Sequence, residues 1–189
     1  MQLNFKQLAS LPIFNGICEE DLPAMLNCLG SFQKNYQKDE IILLESNEVR
    51  SVGIILSGIV HMVKEDSEGY QTLLVAMKDG ELFGESFSCG SHLNAHVSFF
   101  AAAPCTVLFL PFHKIIHSCK MSCTFHHRLI ENMVQLIGDK NVQLMHKIEV
   151  ISKKTLRDVY KRQTLHCVSQ LYNDVLLTIK LLKINLQEF

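Results

Sequence analysis

At 189 residues, with 48% hydrophobic and 20% charged side chains, the chain is long enough for one substantial core, or for one domain plus an appendage. Its net charge of -1 excludes a global electrostatic pull toward nucleic acid or anionic membrane. No apolar run approaches the ~18 residues that a membrane span needs, and seven cysteines (Cys18, Cys28, Cys89, Cys105, Cys119, Cys123, Cys167) with no secretory signal ahead of them predict a reducing, cytoplasmic setting.

Residues 3 to 29 predict short helices: Leu3 to Ser10, a turn at Leu11-Pro12-Ile13-Phe14, and a helix from about Glu19 to Leu29. Glu19, Glu20 and Asp21 crowd the first turn of the last of these, where the helix dipole favours negative charge, and Gly30 follows its end. Leu22, Met25, Leu26 and Leu29 share one face, as a helical cover on another layer requires.

From Ser31 the pattern changes to short β-type runs: Ser31 to Gln37, Glu40 to Leu44, Val52 to Leu56, Ile59 to Glu65, Gln71 to Met77, Val97 to Ala102 and Thr106 to Leu110. Turn residues such as Lys38-Asp39, Ser57-Gly58 and Asp79-Gly80 separate them, and this spacing predicts an all-β barrel or jelly roll. Between the fifth and sixth runs lies Gly80-Glu81-Leu82-Phe83-Gly84-Glu85, which reads as a turn, a short extended piece and a loop with exposed backbone N–H groups. Such a loop can hold a small anionic or sugar-bearing ligand.

After Pro111 the chain reads as helical again: a short helix from Phe112 to Ser118, then a long one capped by Ser122 and running to about Ile151. Within it Ile130, Val134, Ile137, Asn141, Leu144, Ile148 and Ile151 are spaced 4, 3, 4, 3, 4, 3. An unbroken 3.5-residue seam with one polar member, Asn141, is the pattern of a helix that pairs with a second copy, so the seam predicts a homodimer, with a helix packed on its own domain as the alternative. Leu129, Met133 and Leu136 form a second stripe that would pack back on the barrel.

Together the Leu11-Pro12-Ile13-Phe14 entry, the Leu56-Ser57-Gly58-Ile59-Val60 turn, the Gly80 to Glu85 cassette and the long helix, in this order, resemble the sensor half of Crp/Fnr-type bacterial transcription regulators over roughly Leu11 to Arg157. The resemblance implies a cyclic-nucleotide-binding-like β barrel at 1–120, a dimerisation helix and hinge at 121–157, and a ligand site at Gly84, Glu85, Ser86, Phe87, Ala95 and His96. In cyclic-nucleotide-binding members the glutamate of the Gly-Glu pair accepts the ribose hydroxyl, and Glu85 matches it; by itself Glu85 reads equally as a structural cap for the loop amides. The amides of Ser86 and Phe87 would face the phosphate. Eleven residues after Gly84, where the family places an arginine and a Ser or Thr, this sequence has Ala95 and His96, and no Lys or Arg stands between Lys78 and Lys114. A buried phosphodiester without a bidentate cation keeps much of its desolvation cost, so cyclic AMP is not the expected ligand and the effector is left unnamed. His92 and His96 could supply positive charge only below about pH 6.5.

Other chemistry finds less support. Cys18 and Cys28 are too few for an iron–sulfur cluster, and Cys119 and Cys123 among His113, His117, His126 and His127 meet no standard zinc spacing. A cupin-like metalloenzyme would need paired histidines and a carboxylate inside the barrel, whereas the strand runs hold only His61 and, at an edge, His96.

The family pattern ends at Arg157. The expected winged helix-turn-helix does not follow, and Asp158 to Gln163, DVYKRQ, coincides with a translation of transposase mosaic-end DNA, so 158–189 is read as a non-family tail of assembly origin. The expectation is thus the effector-sensing and dimerising part of a non-enzymatic, cofactor-free regulator, with DNA contacted only in a full-length parent. A stand-alone ligand-binding module is the alternative.

Overall fold

In a computed structural model, residues 4–91, 93–117 and 124–152 are described. The expected tail at 158–189, His92, Cys119, Cys123, Cys167 and the Ser122 cap lie outside them. The chain divides into two compact units, Met1–Gly138 and Asp139–Phe189.

The first unit opens with α1 (Phe5–Ala9), capped by Asn4, whose side chain accepts the Gln7 N–H at 3.3 Å. A 3-10 turn at Pro12–Phe14 follows, then another at Glu19–Asp21 that leads into α2 (Leu22–Leu29). The single helix expected from Glu19 is therefore two pieces, because Pro23 lacks the N–H that a longer run would need. Gly30 closes α2 in the left-handed conformation.

Eight strands come next: β1 (Phe32–Tyr36), β2 (Ile41–Leu43), β3 (Ser51–Ser57), β4 (Val60–Glu65), β5 (Gln71–Met77), β6 (Leu82–Phe83), β7 (Ser98–Ala101) and β8 (Cys105–Pro111). They form two four-stranded antiparallel sheets, ordered β1-β8-β3-β6 and β2-β7-β4-β5. A four-residue helix, α3 (Glu85–Ser88), interrupts the strands after β6, and α4 (Phe112–Ile116) follows β8. Seven of the eight strands match the expected runs; β6 is the short extended piece inside the cassette.

Two apolar layers result from period-2 alternation in β3 and β8, both faces of which are apolar. Ile55 and Val107 point between the sheets, joining Val60, Met77, Phe83, Phe99 and Ala101 in one core. Val52, Ile54, Leu108 and Leu110 point the other way and are covered by Leu8, Ile13, Phe14, Leu22, Met25, Leu26 and Leu29 of the N-terminal helices. Leu129 and Met133 complete this second core, so the stripe expected to pack back on the barrel does so, with Leu136 against it.

These last residues belong to α5 (Thr124–Ile151), the long helix. Its first half, through Gly138, falls in the first compact unit. Ile130 and Ile137 of the predicted seam are partly buried against the domain's own core, while Asn141 is exposed along with the seam positions in the helix's second half. The domain core accounts for one side of α5; the remaining apolar side is bare.

Candidate functional site

The Gly80 to Glu85 stretch wraps over the end of β3. Gly80 donates its N–H to the Ile55 carbonyl at 2.7 Å, and Ile55 donates back to Glu81 at 3.1 Å. The chain pairs briefly as β6 with β3, Gly53 opposite Phe83 and Ile54 opposite Leu82, then turns at Gly84.

Gly84 has φ 79°, a left-handed conformation that a side chain disfavours, and a Cβ there would meet the Ser51 carbonyl oxygen and Val49 Cγ1 at 3.3 Å. Its carbonyl accepts the N–H groups of Phe87 at 3.2 Å and Ser88 at 3.0 Å, and the buried Ser88 hydroxyl at 3.0 Å. The amide of Phe87 is thus turned into the helix rather than outward. Ser86 stands beside it in α3 with its side chain exposed. The loop with exposed amides expected from sequence is a tight helical turn.

Glu85 opens that turn with its side chain 4% exposed and its Oε2 sealed from solvent. A carboxylate held this deep, behind an apolar barrel, is an oriented hydrogen-bond acceptor in a region of low dielectric. Phe87, which packs against the inter-sheet core, also meets the His96 ring edge-on, with centroids 6.0 Å apart.

The second arm of the cassette runs from Leu93 into β7. It is zipped to residues 46–49: Val49 N–H donates to Leu93 at 2.8 Å, Ala95 to Asn47 at 2.9 Å and Ser46 to Ala95 at 2.8 Å, with a bridge between Glu48 and Asn94. Ala95 is 1% exposed, so the position where the resemblance implies an arginine holds a methyl group sealed inside. His96 is exposed.

One contributor was not visible from sequence. Lys64 of β4 donates to the His96 carbonyl at 3.0 Å and pairs with the Glu45 carboxylate, tying together the end of β2, β4 and the entry to β7. It stands 32 residues before His96, and only the β4–β7 pairing brings the two together. On the other side of the zipper, Arg50 is held by Glu48 at 2.8 Å, which raises the guanidinium's pKa. The structure therefore brings Gly84, Glu85 and Phe87 to one turn and Phe87 to His96. It places Ala95 in the facing arm.

Away from the cassette, His117 Nδ1 lies 2.7 Å from the His113 carbonyl, and among the described residues no three His, Cys, Asp or Glu side chains gather as metal ligands would. None of the described helices is long and apolar enough to cross a membrane.

The family model of the cyclic nucleotide-binding domain matches residues 33–120. No curated protein sequence matches the chain. Among solved structures, the fold is similar to that of the Catabolite Activator Protein of Thermus thermophilus (18% identity, TM-score 0.60, 75% of this chain and 63% of that one). It is also similar to the sensor domain of the transcriptional regulator DNR from Pseudomonas aeruginosa (17% identity, TM-score 0.57, 80% of this chain and 93% of that one). A cyclic nucleotide-binding domain from Methylobacillus flagellatus gives 14% identity and a TM-score of 0.65 over 80% of this chain and 84% of that one. The chain thus spans 63% of the length of the Thermus protein. Residues 33–120 match the model of the cyclic nucleotide-binding domain, and the solved structures of similar fold include a catabolite activator protein and the sensor domain of a transcriptional regulator.

Proposed function

We propose that this chain is the effector-sensing and dimerising part of a Crp/Fnr-type transcription regulator, working in the cytoplasm without catalysis and without a cofactor. The single observation that carries the reading is the bare apolar side of α5: Val134, Leu144, Ile148 and Ile151 are 62%, 54%, 56% and 83% exposed on a helix that leads out of a cyclic nucleotide-binding domain. Leaving several large aliphatic side chains in water along one helix is unfavourable, and a second copy of the same seam buries them symmetrically.

A route from site to helix supports the reading. Gly84, at the head of α3, backs onto Ser51 and Val49, and Val52 beside them lies in the core that holds Leu129 and Met133 of α5. A ligand that favours one arrangement of the cassette would bias α5 through these packed side chains. In a longer parent, the pairing angle of two such helices would set the spacing of two DNA-reading elements.

The test is the solution mass of the chain. Light scattering across a concentration series is expected to return twice the 21.5 kDa of one chain. A monomer at every concentration would refute the dimer.

A further inference from the structure

The residue types along the bare side of α5 restrict which assembly can cover it. Alternating steps of 3 and 4 divide the seam into two sets, Val134, Asn141 and Ile148 in one and Ile137, Leu144 and Ile151 in the other. In the heptad of a coiled coil these are the a and d positions. Asn141 is exposed and lies beyond the first compact unit, whose core takes Ile130 and Ile137 from the seam instead. A polar residue at 141 therefore serves nothing in that core.

The aliphatic members alone would not select two strands. Ile148 at a and Ile151 at d are both β-branched, and isoleucine at both positions favours three or four helices around one axis. A carboxamide at an a position reverses that bias. In a parallel pair in register, a faces a, so the two Asn141 side chains meet and the amide of one donates to the carbonyl of the other. In a three- or four-stranded core the carboxamides would converge in a closed apolar interior. In a pair slipped by one heptad Asn141 would face Val134 or Ile148, and in an antiparallel pair a d residue such as Leu144, each time leaving its donors without an acceptor.

Charge favours the same arrangement. Lys140 and Lys147 flank the seam on one side, seven residues apart. A parallel pair sets them beside Met145 and Ser152 of the second copy, where no like charge opposes them and the lysine stems can lie on apolar surface. Antiparallel pairing of Asn141 with Leu144 would bring Lys140 of each helix beside Lys147 of the other, a repulsive contact.

We propose that Asn141 selects the partner of α5: a second copy of this chain, parallel and in register, and two copies only. The inference rests on the reading of the bare side of α5 as a pairing surface.

Light scattering of the full chain and of Asn141→Ile tests the selection. The unaltered chain is expected at two copies. Asn141→Ile, which completes the isoleucine pattern, is expected to associate about tenfold or more tightly and to move to three or four copies. Because Asn141 is exposed and outside the first unit, the substitution leaves the fold of that unit in place. Leu144→Cys tests the orientation: a parallel pair brings position 144 opposite itself, so oxidised glutathione should produce a 144–144 disulfide that peptide mass mapping identifies among the native cysteines. An antiparallel pair sets position 144 against an a residue and gives no such link.

The failure modes separate. A dimer in which Asn141→Ile stays at two copies with unchanged affinity overturns the selection and leaves the pairing surface standing. A dimer that yields no 144–144 link overturns the parallel register. A monomer at every concentration overturns both the inference and the reading beneath it.

Discussion

The side-chain amide of Asn132, on α5, donates to the main-chain carbonyl of Ile13 at 2.9 Å across 119 positions of sequence, and reaches Asn15 at 2.8 Å as well. Ile13 lies in the 3-10 turn Pro12–Phe14 and Asn15 caps that turn, so one buried amide ties the N-terminal segment to the long helix within the first compact unit.

Asn132→Ala removes both donors and leaves two carbonyls facing a small cavity. Unpaired buried acceptors typically cost about 1–3 kcal/mol, and urea denaturation should show a loss of that order. Asn132→Asp, which keeps the shape but donates nothing, should lose a comparable amount. An unchanged midpoint in both variants would mean that the carbonyls find water instead.

Gly53 lies under the ring of Phe83, its cross-strand partner, and a Cβ at 53 would come within 2.3 Å of the ring's Cζ. Gly53→Ala is therefore expected to destabilise by about 1–3 kcal/mol, the usual range for overpacking a filled core. The ring's neighbours Phe99 and Phe109, at 5.0 and 6.1 Å, leave it little room to yield. Chemical denaturation measures the loss, and near-ultraviolet dichroism should report the displaced aromatic.

Leu144→Asp should convert dimers to monomers by light scattering while leaving the thermal midpoint of the first unit unchanged, because Leu144 is exposed and lies beyond that unit. Ile137→Asp differs, since Ile137 also packs against its own core, and should lower both mass and thermal stability. Equal behaviour of the two would show that the seam does not divide between self-packing and partner-packing.

Burial pushes the Cys105 thiol above its ordinary value of 9.0, with the nearby Glu40 carboxylate adding to the effect. The folded state then holds this proton longer than the unfolded chain. The corresponding stability is fully present below pH 9.0 and is lost as pH rises through the higher folded value. Among the described cysteines, exposed Cys18 should alkylate before Cys89, whose thiol is also raised by desolvation, and Cys105 should be slowest. Mass mapping after short exposure to iodoacetamide checks the order, and rapid labelling of Cys105 would contradict its burial.

The β architecture was legible because period-2 alternation and turn residues act locally: Gln71–Met77 and the neighbouring runs needed only their own side chains to be read as strands. Ile151 as the end of the long helix was legible for the same reason. The break at Pro23 is a local signal too, set against the acidic residues Glu19, Glu20 and Asp21, which favour a helix start three residues earlier. An asparagine at 132, between Leu129 and Met133 in an inward-facing stripe, was the available sign of the amide staple.

Sequence alone determined the strand content, the Gly84-Glu85 turn and the absence of a cation at position 95, since each depends on residue type and spacing. Tertiary structure decided that Lys64 ties the cassette's second arm to β4, that Ala95 is sealed inside, and that α5 spends part of its apolar surface on its own domain. The physical reason is range: backbone propensity is settled within a few residues, whereas burial and ion pairing depend on which distant strands the chain brings side by side.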